Sequence, residues 1–204
     1  LPGGHSAKHL LLLDTKRPAS WRVDVGGGDV VRENVALHGG GSAAVFHWRD
    51  EVAVKAVELP GSDCWQAWRD RIEPLAQLAL AAFNLGAMEA ALSASTEYSK
   101  ERRQFGQRLA DFQALQHLLA DASVDVELTR SLVFGAAMAL DAERDDSRRL
   151  ALSARVNADE AAKRVCKSAI QLHGAIATTD ELEVGHHLSR VAVNANQLGT
   201  TQQL

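Results

Sequence analysis

Four cations fall within nine residues in the run Lys100-Glu101-Arg102-Arg103-Gln104-Phe105-Gly106-Gln107-Arg108, directly after Tyr98-Ser99. A planar guanidinium beside Phe105 and Gly106 can grip a diphosphate through two parallel hydrogen bonds, a geometry that lysine's point charge does not reproduce. Cations at a helix end also complement its dipole and solvate the loop that follows, and that plainer role competes with an anion site. A second segment, Gln171-Leu172-His173-Gly174-Ala175-Ile176-Ala177, joins a side-chain amide to small residues that admit a cofactor or another chain close to the backbone. Gly174 serves equally well as the residue that ends a helix.

Other reactive side chains have simpler readings. Glu89, Glu97, Asp180, Glu181 and Glu183 read as solvated surface carboxylates, since such groups rarely bury unpaired. His186 and His187 are adjacent, so they face different sides of a helix, unlike the i, i+4 pair of a zinc-binding helix. Gly39-Gly40-Gly41-Ser42-Ala43-Ala44 loosely fits a dinucleotide fingerprint, but strand-like residues follow it where a helix is needed. Cys64 and Cys166 are too few for a disulfide framework or a thiolate metal site.

The elements that carry these residues change character near residue 64. Nine of the 15 glycines lie before it, and between them run the β-favouring stretches Leu10–Leu13, Trp21–Val25, Val30–Leu37, Ala43–Trp48 and Val52–Leu59. They predict a small antiparallel sheet over 1–64. From Trp65 the apolar period becomes that of a helix. Pro74 stands near a first helix start, where its missing N–H is harmless, and Leu75, Leu78, Ala82, Leu85, Met88 and Leu92 form its apolar stripe. Asp111 opens a second helix whose stripe runs from Phe112 through Val126 and Thr129 to Leu140. At 1.5 Å per residue it spans roughly 45–50 Å. Leu150, Ala154, Ala158, Ala161, Val165 and Leu172 mark a third helix ended by Gly174; Val184, Leu188, Val191, Ala195 and Leu198 mark a shorter fourth. Four stripes joined by short polar links specify an antiparallel four-helix bundle over 65–204, so the chain is mainly α with a small β segment in front.

Composition narrows the function classes. The 204 residues carry 22 − 26 = −4 charges, with 46% hydrophobic and 24% charged residues. No global basic field recruits nucleic acid or an anionic membrane surface. No unbroken apolar run approaches the roughly 20 residues that cross a bilayer, and the first residues show neither the basic nor the apolar part of an export signal. A reducing, cytoplasmic setting is the expectation.

Taken together, three strings on three helices make the region 65–204 resemble the C-terminal helical domain of the acyl-CoA dehydrogenase family. They are Tyr98 to Gln107, then Asp111-Phe112-Gln113-Ala114-Leu115-Gln116-His117, then Ala169-Ile170-Gln171-Leu172-His173-Gly174. The resemblance implies a flavoenzyme that desaturates an acyl-CoA thioester between Cα and Cβ, with FAD shared across a subunit interface. It implies that Arg102 meets the FAD diphosphate, that Gln104 and Phe105 flank the cofactor, and that Gln113 and Gln171 reach toward its adenosine half. Gly174 gives the close backbone approach. Residues 1–64 correspond by this resemblance to the later part of the family's middle β-domain, and no match to its N-terminal helical domain is found.

The departures from the family pattern matter most. The usual catalytic glutamate precedes a Gly-Thr pair, and here the stretch reads Gln197-Leu198-Gly199-Thr200, with Leu198 in the base position. The alternative base, on the first helix, falls at Ala76, or at Gln77 if the register slips by one. None of these accepts a proton as general-base catalysis requires. Ala175 and Ala177 stand where further glycines are expected. The resemblance therefore implies a subunit without its own base, completing the FAD site of a homologous partner, as in heteromeric members with two copies of each of two related chains (α2β2), some of which shorten steroid side chains. The alternatives are an active homo-oligomer with its base relocated to a carboxylate such as Glu89, Glu97 or Glu181, and a structural bundle that has lost flavin.

Overall fold

The structure is a computed structural model that describes residues 4–13, 20–26, 30–37, 42–48, 57–58, 62–179 and 181–199. They belong to two compact units, 1–73 and 74–204.

In the first unit, β1 (His9–Leu13), β2 (Ser20–Asp24) and β5 (Val57–Glu58) form an antiparallel sheet in the order β1-β2-β5. Among the described residues, the strands β3 (Val30–Ala36) and β4 (Ser42–Trp48) pair only with each other, from Val30↔Trp48 to Ala36↔Ser42. Among the described residues, the five strands expected in one sheet form two smaller ones. They share a core of Leu10, Val23 and Val30, flanked by Val25 and Phe46, without sharing a ladder. After Val30 the whole of β3 is exposed, so it presents no further apolar face to be buried. Of the Val52–Leu59 stretch only Val57–Glu58 is described, and Gly39–Gly41 lie outside the described residues.

Helix α1 (Ser62–Ala67) leads into a π-helical turn, Trp68–Ile72, and then α2 (Glu73–Glu101). Helical structure therefore begins earlier than Pro74 suggests. Proline has no N–H and crowds the carbonyl four residues back, so the ladder cannot close in its ordinary register there. The Glu73 N–H instead reaches five residues back to the Trp68 carbonyl, and the wide turn absorbs the mismatch.

The bundle is completed by α3 (Gln113–Asp141), α4 (Ser147–His173) and α5 (Glu183–Asn194). Its core is built largely from alanine: Ala81, Ala151, Ala154, Ala158, Ala161 and Ala162 are all fully buried, with Met88, Val126, Val165 and Val191 filling the wider gaps. Small side chains let the helices pack closely, which favours close-fitting walls over bulk. On α5, a Cβ built at Gly185 would lie 2.5 Å from the Ala177 carbonyl oxygen, so that crossing tolerates only glycine without a shift of the backbone.

Helix α2 is apolar on two sides. Leu78, Ala81, Leu85, Met88 and Ala91 face the core, whereas Leu75 (61% exposed) and Phe83 (49%) face outward beside exposed Ala79, Ala82, Gly86 and Ala90. Leu75 and Ala82 thus leave the inward stripe predicted for them, because Pro74, Gln77 and Ala81 take the buried positions of those turns. Glu89 is the one charge between Pro74 and Thr96. The stretch Trp65–Glu101 is consequently long and apolar enough to cross a bilayer, with a mean hydropathy of 1.4 in its richest window, although 44% of that window is buried in the protein. Unbroken apolar runs had not revealed this, since single polar residues interrupt them.

Buried titratable groups give the bundle a pH signature. His187 on α5 is buried, and burial together with the Arg190 charge holds its imidazole below the ordinary value of 6.5, with Glu183 opposing. The unfolded chain binds this proton first as pH falls, so stability is full above the ordinary value and declines below it until the folded imidazole also charges. Replacing His187 with glutamine is expected to flatten that acid-side decline, read as urea-unfolding free energy against pH.

Candidate functional site

Two regions bear on chemistry, and both lie in the bundle unit. The first gathers at the end where α2 finishes, α3 begins and α4 stops. Strands β6 (Arg103–Gln104) and β7 (Gln107–Arg108) form a two-residue hairpin whose turn residues, Phe105 and Gly106, have φ of 54° and 85°. Both central residues in the left-handed region mark a type I′ turn, for which glycine is well suited and phenylalanine is not. The turn holds the Phe105 ring 92% exposed, with only an edge contact to Phe112 at 6.5 Å. The hairpin is anchored on both sides. The Arg102 N–H donates to the Tyr98 carbonyl (2.9 Å), while Arg108 donates to both carboxylate oxygens of Asp111 at 3.1–3.2 Å. The Arg108 partnership holds the Asp111 carboxyl below its ordinary value.

The ring of Tyr98, four residues before Arg102, stacks on the buried His173 at 4.5 Å between centroids. His173 Nδ1 donates to the Ala169 carbonyl (2.9 Å), which fixes the orientation of the ring. The stack joins the hairpin's root to the end of α4, where Gly174 (φ 69°, ψ −146°) donates its N–H to the Ile170 carbonyl. That backbone conformation is nearly glycine-only, and the space beside its Cα is open. The fold therefore brings Arg102, Gln104, Phe105, Gln113, Gln171 and Gly174 to one end of the bundle, all exposed. Among the described residues, no hydrogen bond engages the side chains of Arg102, Gln104, Gln113 or Gln171. One guanidinium, three primary amides, an exposed aromatic face and an open glycine form a donor set that suits a diphosphate joined to heteroaromatic rings. The chemistry of these residues fits FAD.

The second region is a buried polar cluster, and it contains the positions where a base is expected. Gln77, Asn84, Arg155 and Asp159 are fully buried. Arg155 Nε donates to Asp159 Oδ1 (2.8 Å), its Nη1 to Gln77 Oε1 (3.3 Å) and its Nη2 to the Asn194 carbonyl (2.5 Å). Asn84 donates to Asp159 (2.7 Å) and accepts from Asn194 (3.2 Å). Gln77 Nε2 donates to the Leu198 carbonyl at 3.0 Å. The first-helix and C-terminal positions are thus neighbours in space. Leu198 does not extend the apolar stripe of α5 as the sequence suggests: φ is 56° there and 100° at Gly199, so the helix has ended and the side chain is 46% exposed. Thr200 lies outside the described residues.

No carboxylate stands free at these positions. Asp159, the one fully buried carboxylate in the bundle's described residues, is held by Arg155 and Asn84. Glu89 pairs with Arg130 and Glu97 with Lys100 near the surface, and Glu181 and Glu183 are exposed. Asp180 lies outside the described residues. The Cys166 thiol is buried and pushed up to about 11, which keeps it protonated and unreactive; the Cys64 side chain is not among those described. Sequence reading missed Arg155, Asp159 and Asn84. The available signal was an arginine and an aspartate four apart, flanking Ala154 and Ala158 inside an otherwise apolar stripe.

Residues 75–204 match the profile of a family described as "Acyl-CoA dehydrogenase, C-terminal domain". The probable acyl-CoA dehydrogenase YngJ of Bacillus subtilis is 35% identical over 144 residues, which is 70% of this chain and 37% of that protein. The Tcur3481-Tcur3483 steroid ACAD superposes with a TM-score of 0.79 at 28% identity, covering 98% of this chain and 54% of that one. The ChsE4-ChsE5 complex from Mycobacterium tuberculosis gives 0.78 at 25% identity, again over 98% and 54%. The chain therefore spans about half the length of these solved relatives and less of the curated one.

Proposed function

We propose, since the chain belongs to the acyl-CoA dehydrogenase family, that it is a cytoplasmic subunit of a heteromeric flavoenzyme whose catalytic base lies on a homologous partner chain. The reaction is α,β-desaturation of an acyl-CoA thioester, and the arrangement is a heterotetramer with two copies of each chain. The observation that carries this reading is the pair of base positions: Leu198 at one, Ala76 or Gln77 at the other, with the Gln77 amide engaged on the Leu198 backbone. None of these side chains can take up an α-proton.

When bound, FAD would supply the hydride acceptor for the substrate's β-carbon. This chain contributes the surroundings, as protein does in any cofactor enzyme. Arg102 would hold the diphosphate at the hairpin root, with Gln104 and Phe105 beside the cofactor. Gln113 and Gln171 would offer amide edges to the adenosine half, and Gly174 would let the backbone come close. Support for a two-chain assembly comes from two solved relatives, the Tcur3481-Tcur3483 steroid ACAD and the ChsE4-ChsE5 complex. The first of these is a steroid enzyme, which makes a CoA thioester of a steroid side chain the substrate class to test first.

The test is to purify the chain alone and co-expressed with a homologous, glutamate-bearing partner, then to measure visible flavin absorbance and acyl-CoA-dependent dye reduction. The expected result is flavin and turnover only in the co-expressed complex. Full turnover by the isolated chain overturns the proposal in favour of a relocated base, and a complex that turns over without flavin bound against this chain points to a structural bundle.

A further inference from the structure

Two arms of the buried polar cluster end on Asn194, the last residue of α5, and a third reaches Leu198 beyond it. The helical hydrogen bonds close with the Gln197 N–H on the Asn194 carbonyl (2.9 Å), and Leu198 and Gly199 then take left-handed backbone angles of 56° and 100°. For leucine that conformation costs on the order of 1 kcal/mol, so surrounding contacts must hold it. The Leu198 carbonyl receives the Gln77 Nε2 at 3.0 Å. Gln77 is fully buried, and its Oε1 accepts from Arg155. A reversed amide would aim its NH2 at the guanidinium, so Arg155 determines which end of Gln77 meets Leu198. Arg155 is oriented in turn by Asp159 and by the Asn194 carbonyl.

We propose that Gln77 is a positioning residue for position 198, holding the turn at 195–199 against the bundle by its single oriented amide. The backbone there is clamped while the Leu198 side chain remains 46% exposed, so the segment is a mount that presents whichever side chain occupies it. That this mount faces the substrate rests on the function proposed above; the clamp itself does not.

Hydrogen exchange of the full chain, read by mass spectrometry over peptides covering 195–199, tests it. Gln77→Glu keeps the acceptor for Arg155 but, once ionised, cannot donate to Leu198. The expected result at neutral pH is exchange at 196–199 about tenfold faster than wild type, with α2 and α4 protected as before. In acid the protonated carboxyl donates again and the excess disappears. The Arg155 guanidinium lowers the pH of that reversal, whereas burial and the neighbouring Asp159 carboxylate raise it, so exchange is followed from acid through neutral pH. Gln77→Met, which can neither donate nor ionise, is expected to show the excess at both pH values. Exchange at 196–199 that follows wild type at all pH values overturns the proposal, as does a rise spread evenly over the bundle or one without pH reversal in Gln77→Glu. No flavin or partner is needed, so failure here is separate from failure of the two-chain reading.

Discussion

Replacing Arg102 with alanine is expected to weaken flavin binding by the assembled complex roughly 10- to 100-fold. A hydrogen bond to a charged group contributes about 1.5–3 kcal/mol, and each 1.4 kcal/mol is a factor of ten. The side chain is exposed and lacks a hydrogen-bonding partner among the described residues, so its removal breaks no internal contact and stability is expected to stay within about 0.5 kcal/mol. Arg102→Lys keeps the charge but loses the planar fork, and should fall between the two. Equilibrium dialysis of the complex against FAD reads the affinity, and thermal unfolding of the chain reads the stability. An unchanged affinity in Arg102→Ala removes the diphosphate contact from the proposed site.

Asp159→Ala should be the most damaging single change to the fold, at about 3–5 kcal/mol. It strands the Arg155 guanidinium with no exposure to water and removes the acceptor used by Asn84 as well. Breaking one partner of a buried ion pair costs far more than replacing both, because the remaining charge is neither hydrated nor paired. Arg155→Met combined with Asp159→Leu is accordingly expected to recover most of the loss. The coupling energy from a double-mutant cycle in urea unfolding measures this. A near-additive cycle would show that the pair contributes nothing beyond its packing.

The residues that could be read from sequence were those whose signal is local. Gly174 ends α4 where its position predicted, and Asp141 closes α3 one residue after Leu140, the last position of its apolar stripe. Arg102, Gln113 and Gln171 were named as a set by the family resemblance alone; the short hairpin and the antiparallel helices then explain why these ends lie at one place. Tyr98 and His173 give that convergence a direct contact. The polar cluster was not legible. Arg155 looks like one more surface cation until α2 and α5 are seen to close over it, and the closeness of Gln77 and Leu198 spans 121 positions. The division of the β segment into two sheets was hidden for the same reason: alternation predicts strands, whereas ladder partners depend on which faces find cover.

The second apolar face of α2 affects the life of the chain in a cell. Leu75 and Phe83 stand open to water on a helix with a single charge in six turns. Exposed apolar surface of this kind is what chaperones retain and proteases remove. A copy of the chain left with that face uncovered is therefore expected to be a substrate for quality control.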